Sequence, residues 1–284
     1  MHMTYTTLVS CATLAAHLDD PSWLIIDARF SLADPCLGRR NYLQAHIPGA
    51  VYAHLDEDLS APVIKGVTGR HPLPDARRAA EVFSRWGIPE DGQVVVYDDL
   101  AGALAAVRVW WMLRWLGTMN VAVLDGGWQA WQHNTLPVLA GTESRIPKPF
   151  RVIERSGLVV STTQIEAIRL DHTWRLLDAR AADRFHGENE TIDPIAGHIP
   201  GAISAPYQGN INPDGTFRSG DQLRERFAQL VGDTPSDRIA VYCGSGVTSI
   251  HNILAMLYAG MGEARLYAGS WSEWITDPRR AVEK

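Results

Sequence analysis

The sequence predicts an α/β protein made of two copies of one domain, each a mostly parallel sheet flanked by helices. Three observations carry that expectation. Four motifs recur in one order at offsets of 143 to 152 residues along the chain. Short apolar runs alternate with helical patterns within each copy, as in parallel sheets covered by helices. Hydrophobic residues make up 46% of the 284 positions and charged residues 20%, enough apolar surface to bury a core in both copies.

The first copy carries LIIDAR (24–29), AHIPGA (45–50), VVVYDD (94–99) and VAVLDGGWQAW (121–131). The second carries RLLDAR (175–180), GHIPGA (197–202), IAVYCG (239–244) and ARLYAGSWSEW (264–274). Runs such as LIIDA, VVVYD and VAVLD end at polar or turn-forming residues, which marks buried parallel strands. Residues 73–86 and 108–116 read as helices between them. The run at 141–157 (GTESRIPKPFRVIERSG) has two prolines, four basic residues and no period, so it is expected to link a domain at 1–140 to one at 158–284.

Charge and cysteine usage exclude several function classes. The 26 basic and 32 acidic residues give a net charge of −6, which argues against nucleic-acid binding and against attraction to anionic lipid. Residues 101–117 are the most apolar window, but Arg108 and Arg114 interrupt it, so no membrane span is expected. The opening MHMTYTTLVSC lacks a basic region followed by an apolar run, so no signal peptide is expected. Cys11, Cys36 and Cys243 form neither a disulfide framework nor a CxxC metal site, which points to a reducing compartment, the cytoplasm. The ten histidines show no HExxH or other ligand spacing, so no metal and no cofactor are implied.

The repeat separates scaffold from chemistry. Asp27 and Arg29 return as Asp178 and Arg180, and His46 returns as His198, so these are expected to hold the fold. The copies differ after the third strand, where the first has Asp98 and the second Cys243. Ligands of open parallel sheets sit beyond the carboxyl ends of the strands, so this is the place for a site. Cys243-Gly244-Ser245-Gly246-Val247-Thr248-Ser249 leads into a helical pattern at 250–259. Small residues let successive N–H groups converge, and the helix adds its positive end, an arrangement that stabilises a thiolate without a histidine base. Cys11 and Cys36 have no such setting and are expected to be small buried side chains.

CGSGVTS, with LLDARAADRF, GHIPGA and LYAGSWSEW, resembles the two-domain rhodanese family of sulfurtransferases, on its 3-mercaptopyruvate and thiosulfate branches. The likeness runs over about residues 6–277. It implies a thiol, here Cys243, that takes a sulfane sulfur from a donor, holds it as a persulfide and passes it on. The acceptor is a thiol, such as thioredoxin or glutathione, or cyanide. In that family the first domain has lost its cysteine and serves as scaffold, a pattern that Asp98 fits.

The resemblance also assigns neighbours. Arg184, four residues beyond the DAR arginine, would bind the donor's acid group, and the first copy has Ala33 at that offset. Relatives that favour mercaptopyruvate often carry a second arginine some nine residues on, where this chain has Asp193. Thiosulfate-preferring relatives carry basic residues after the cysteine. Here the uncharged Gly244, Ser245, Gly246, Val247 and Thr248 form the substrate-binding loop, which suits a monoanion such as 3-mercaptopyruvate. A relay of Ser245, His71 (in GRHPLP) and Asp56 (in AHLDED) would supply a proton to the leaving enolate across the domain interface.

Two other activities fit the fold. A cysteine phosphatase needs Cys-x5-Arg to clamp phosphate, and the sixth residue after Cys243 is Ser249, which removes that reading. A module that only carries or senses persulfide would lack turnover with a free donor. No partner subunit is needed to complete either domain, so a monomer is expected.

Overall fold

A computed structural model describes residues 4–284. Residues 1–3, on which part of the signal-peptide reading falls, lie outside the described residues. The chain divides into two compact units. Of the described residues, one comprises 4–60, 74–155 and 212–217; the other comprises 61–73, 156–211 and 218–284.

The first unit runs β1 (Leu8–Val9), α1 (Cys11–Ala15), β2 (Trp23–Asp27), α2 (Leu37–Gln44), β3 (Ala50–Tyr52), α3 (Ala76–Arg85), β4 (Gln93–Tyr97), α4 (Ala105–Trp115), β5 (Val121–Leu124) and α5 (Gly127–His133). Its sheet has the order β1-β5-β4-β2-β3, and every pairing is parallel. Every residue of β2, β4 and β5 is buried, the reason their sequences read as apolar runs with a polar residue only at an end, Asp27 or Gln93.

Two helix boundaries differ from the sequence expectation, each for a local reason. The helix expected at 73–86 starts only at Ala76, because Pro72 and Pro74 disfavour helical backbone before them. Asp75 caps it, accepting the Arg78 N–H at 2.8 Å, a contact worth about 1 kcal/mol. The helix expected at 108–116 begins earlier, at Ala105, and all of α4 is buried. Its arginines stay internal by donating to backbone carbonyls, Arg108 to Leu59 and Arg114 to Thr6, while Arg114 also lies over the Trp110 ring.

The second unit runs α6 (Thr162–Ile168), β6 (Arg175–Asp178), α7 (Ala182–Phe185), β7 (Ala202–Ser204), α8 (Gly220–Val231), β8 (Ile239–Tyr242), α9 (Ile250–Tyr258), β9 (Arg265–Leu266) and α10 (Ser270–Trp274). Its sheet order is β7-β6-β8-β9, again parallel throughout. Residues 141–157 contain neither helix nor strand. Among the described residues no helix is long and apolar enough to cross a membrane.

The repeated motifs do the same structural work twice. Arg29 forks onto Asp27 and reaches the Ala45 carbonyl at 2.6 Å. Arg180 forks onto Asp178 and reaches the Gly197 carbonyl at 2.7 Å. His46 and His198 bond through Nδ1 to the carbonyls of Tyr42 and Phe185. Both pairs therefore tie the segment before the IPGA turn to the sheet, which is a scaffold role.

Candidate active site

Cys243 follows the last residue of β8 and is 3% exposed. Its backbone is fixed by the first turn of α10. The Cys243 N–H donates to Ser270 Oγ at 3.1 Å, and the Trp271 N–H donates to the Cys243 carbonyl at 3.0 Å. The Ser272 N–H reaches the Gly244 carbonyl at 2.9 Å. Ser270 holds this position with a φ of +54°, a left-handed conformation that costs a non-glycine residue energy. The first copy has Gly127 there, at φ +57°. The serine therefore accepts strain and supplies an acceptor that glycine cannot.

The loop from Cys243 to Ser249 turns at Gly246, φ +75°, where a Cβ would run into the backbone of Ala268. Only glycine fits. In the first copy a loop of equal length turns at Ala101, φ +53°, and there an anion sits inside it. Asp98 Oδ1 accepts the N–H groups of Leu100 and Gly102 at 2.9 and 2.8 Å. Its Oδ2 accepts those of Leu104 and Ala106 at 3.0 and 3.3 Å. Complete burial outweighs these donations and holds the Asp98 carboxyl up at about 6.

Ser245 and His71 are brought together, with Oγ and Nδ1 2.8 Å apart and both residues buried. Residues 61–73 belong to the second unit, so this pair is internal to that unit. Asp56 lies in the first unit, exposed in the turn after His54, where its N–H donates to His54 Nδ1. Val247 is buried and Thr248 is partly exposed, on the approach to α9. Ser249, which stands where a phosphatase has its arginine, is fully buried and its hydroxyl has no hydrogen-bond partner among the described residues.

Arg184 lies on α7 with its Nε and Nη2 forked onto Glu190 at 3.0 and 2.9 Å. Nη2 also reaches Asp193 at 2.9 Å. Burial pushes the Glu190 carboxyl up, but the amides of Asp193 and Ile192 and the Arg184 guanidinium outweigh it and leave it below its ordinary value. Asp193 is itself buried, which raises its carboxyl, while Arg70 and then Arg184 pull it back. Asp193, expected only as a gap in an arginine pattern, is thus shared by two guanidinium groups.

Arg70, Glu190 and Ser270 were not singled out by the sequence reading. Arg70 adjoins His71 in GRHPLP but pairs with a residue 123 positions away, and no local pattern announces such a contact. Glu190 stands in a loop with no periodicity. Ser270 could have been found, because it replaces a glycine of the first copy. Of the other cysteines, Cys11 is buried, and burial with the nearby Asp125 pushes its thiol up to about 11. Cys36, expected to be buried, is exposed because it sits just before the solvent-facing start of α2. Among the described residues no cluster of three or more His, Cys, Asp or Glu could hold a metal ion.

Comparison with known proteins gives a consistent result. The Rhodanese-like domain family matches residues 10–134 and 161–277. A Pseudomonas aeruginosa protein named "Probable 3-mercaptopyruvate sulfurtransferase" is 49% identical over 281 residues, covering 99% of each chain. The thiosulfate sulfurtransferase of Rattus norvegicus is 31% identical over 281 residues, covering 95% of this chain and 92% of its own. The crystal structure of the Escherichia coli 3-mercaptopyruvate enzyme superposes with a TM-score of 0.79 at 32% identity, covering 95% of this chain and all of that one.

Proposed function

The chain belongs to the rhodanese-like family, and from that membership we propose that it is a sulfurtransferase that moves sulfur from 3-mercaptopyruvate through a persulfide on Cys243. The observation that carries the proposal is the loop after β8. In the first copy the same loop gathers four backbone N–H groups on the Asp98 carboxylate. A loop of that length and turn in the second copy, with cysteine at the head, suits an anionic sulfur.

In the first step the Cys243 thiolate attacks the donor's sulfur. The carbon–sulfur bond breaks and its electron pair leaves with carbon as the enolate of pyruvate. Ser245, hydrogen-bonded to His71, stands ready to give that carbon or oxygen a proton. Arg184 holds the donor's acid group. In the second step an acceptor thiolate, or cyanide, attacks the outer sulfur and Cys243 leaves as thiolate. Asp56 would complete the proton relay, and the first domain, with Asp98, would act as scaffold to the catalytic second one. Three cysteines with no disulfide fit a reducing compartment such as the cytoplasm.

The charge balance favours a monoanionic donor. Beside the loop two guanidinium groups, Arg70 and Arg184, are matched by two carboxylates, Glu190 and Asp193. Such a cluster has no surplus positive charge to offset the desolvation of a dianion. Thiosulfate is the second reading, favoured by the name of the rat relative. The test is steady-state kinetics with both donors and one thiol acceptor. A kcat/KM well above that for thiosulfate is expected with 3-mercaptopyruvate. The reverse order would move the donor assignment to thiosulfate, and turnover with neither would leave a persulfide carrier.

A further inference from the structure

The Arg184 fork is occupied by Glu190 and Asp193, which leaves Nη1 as the nitrogen without a hydrogen bond among the described residues. A single N–H-bearing nitrogen grips a carboxylate weakly compared with a two-point fork. A second cation lies beside it. Arg70 uses Nη1 to pair with Asp193, and its backbone N–H is fixed to Ser272 Oγ at 3.0 Å. Its Nε is buried, closed to a ligand and without a hydrogen-bond partner among the described residues. Its Nη2 points at the cysteine loop, since a Cβ placed on Gly244 would stand 2.7 Å from it and 3.8 Å from Arg184 Nη1.

With Nη1 held by Asp193 and Nε enclosed, Nη2 is the nitrogen of Arg70 that faces the loop, and Arg184 Nη1 stands beside it. These two nitrogens therefore lie next to the residue that follows the nucleophile. We propose that Arg70 is a second donor-binding residue, that its Nη2 takes the donor's carboxylate beside Gly244 together with Arg184 Nη1, and that Asp193 holds it there. The proposal rests on the sulfurtransferase reading above. Its consequence is specificity: two nitrogens side by side suit the planar carboxylate of 3-mercaptopyruvate, which a methylene and a carbonyl carbon separate from the transferred sulfur.

The test separates the two half-reactions of the purified full-length protein. Arg70→Met should raise the KM for 3-mercaptopyruvate by about 10- to 100-fold. Discharge of a preformed persulfide to a small thiol should keep its rate. Arg70→Lys keeps a cation for Asp193 but has one ammonium where the guanidinium gives Nη1 to Asp193 and Nη2 to the donor, so it should fold like the parent and still lose about 10-fold in kcat/KM for this donor. An unchanged donor KM in both variants would overturn the proposal. So would equal losses in both half-reactions, which mark a structural role. Absence of turnover in the unmodified protein would instead sink the sulfurtransferase reading itself.

Discussion

Exchanging the Cys243 sulfur for oxygen removes the atom that is to carry the transferred sulfur and little else. Cys243→Ser is therefore expected to abolish transfer while leaving the denaturant midpoint within about 0.5 to 1 kcal/mol of the parent. Residual turnover above the background rate would contradict the role. Arg184→Ala removes one charged hydrogen bond to the donor, so kcat/KM for the donor should fall by about 1.5 to 3 kcal/mol of transition-state binding. Unchanged donor kinetics would return Arg184 to the ion pair with Glu190 and Asp193 and nothing more. Asp98 gives a pH test. Its carboxyl stands at about 6 when folded, against roughly 3.9 in an unfolded chain. Between these values the folded protein holds a proton that the unfolded one has released. The stability contributed by Asp98 is thus present in full below pH about 4 and is lost as pH rises through about 6. Urea midpoints from pH 4 to 6.5 should show the parent losing ground to Asp98→Asn, by on the order of 1 to 3 kcal/mol. A difference independent of pH would contradict the assignment.

The elements around Cys243 itself are one strand end, one loop and two helix starts. Short α10 matters through its first turn, where Ser270 Oγ and the amides of Trp271 and Ser272 hold Cys243 and Gly244. Ser270→Ala leaves the buried Cys243 N–H without its acceptor and should cost about 1 to 3 kcal/mol by chemical denaturation. A midpoint equal to the parent's would mean that the hydroxyl is dispensable. This element also shows how far sequence carries. The nucleophile was legible because glycine, serine and glycine at a strand end have few structural uses. Scaffold residues were legible because the second copy repeats them. Arg70 and Glu190 were not, because their partners are set by tertiary folding and leave no spacing to read. Helix starts drifted where a proline pair or the Asp98 carboxylate, rather than periodicity, decided the first turn.

At the scale of the whole chain the repeat is plain, but the compact units do not follow it residue by residue. Residues 61–73, which carry Arg70 and His71, fold with the second unit, and residues 212–217 fold with the first. The Phe217 N–H, for example, donates to Asp125 Oδ1 at 2.8 Å. A fragment of residues 158–284 would therefore lack the partner of Ser245 and one of the two cations on Asp193. Its turnover is expected to fall at least about 100-fold, the scale of losing general acid catalysis. A fragment as active as the full chain would mean that residues 61–73 contribute nothing to the chemistry.

The central claim is that sulfur rests on Cys243 between donor and acceptor. Mass spectrometry of the protein after one turnover with 3-mercaptopyruvate, without acceptor, tests it most directly. The expected result is a gain of one sulfur atom, mapped to the Cys243 peptide and lost on adding cyanide or a thiol. No added sulfur, or sulfur found on Cys11 or Cys36 in its place, would contradict it.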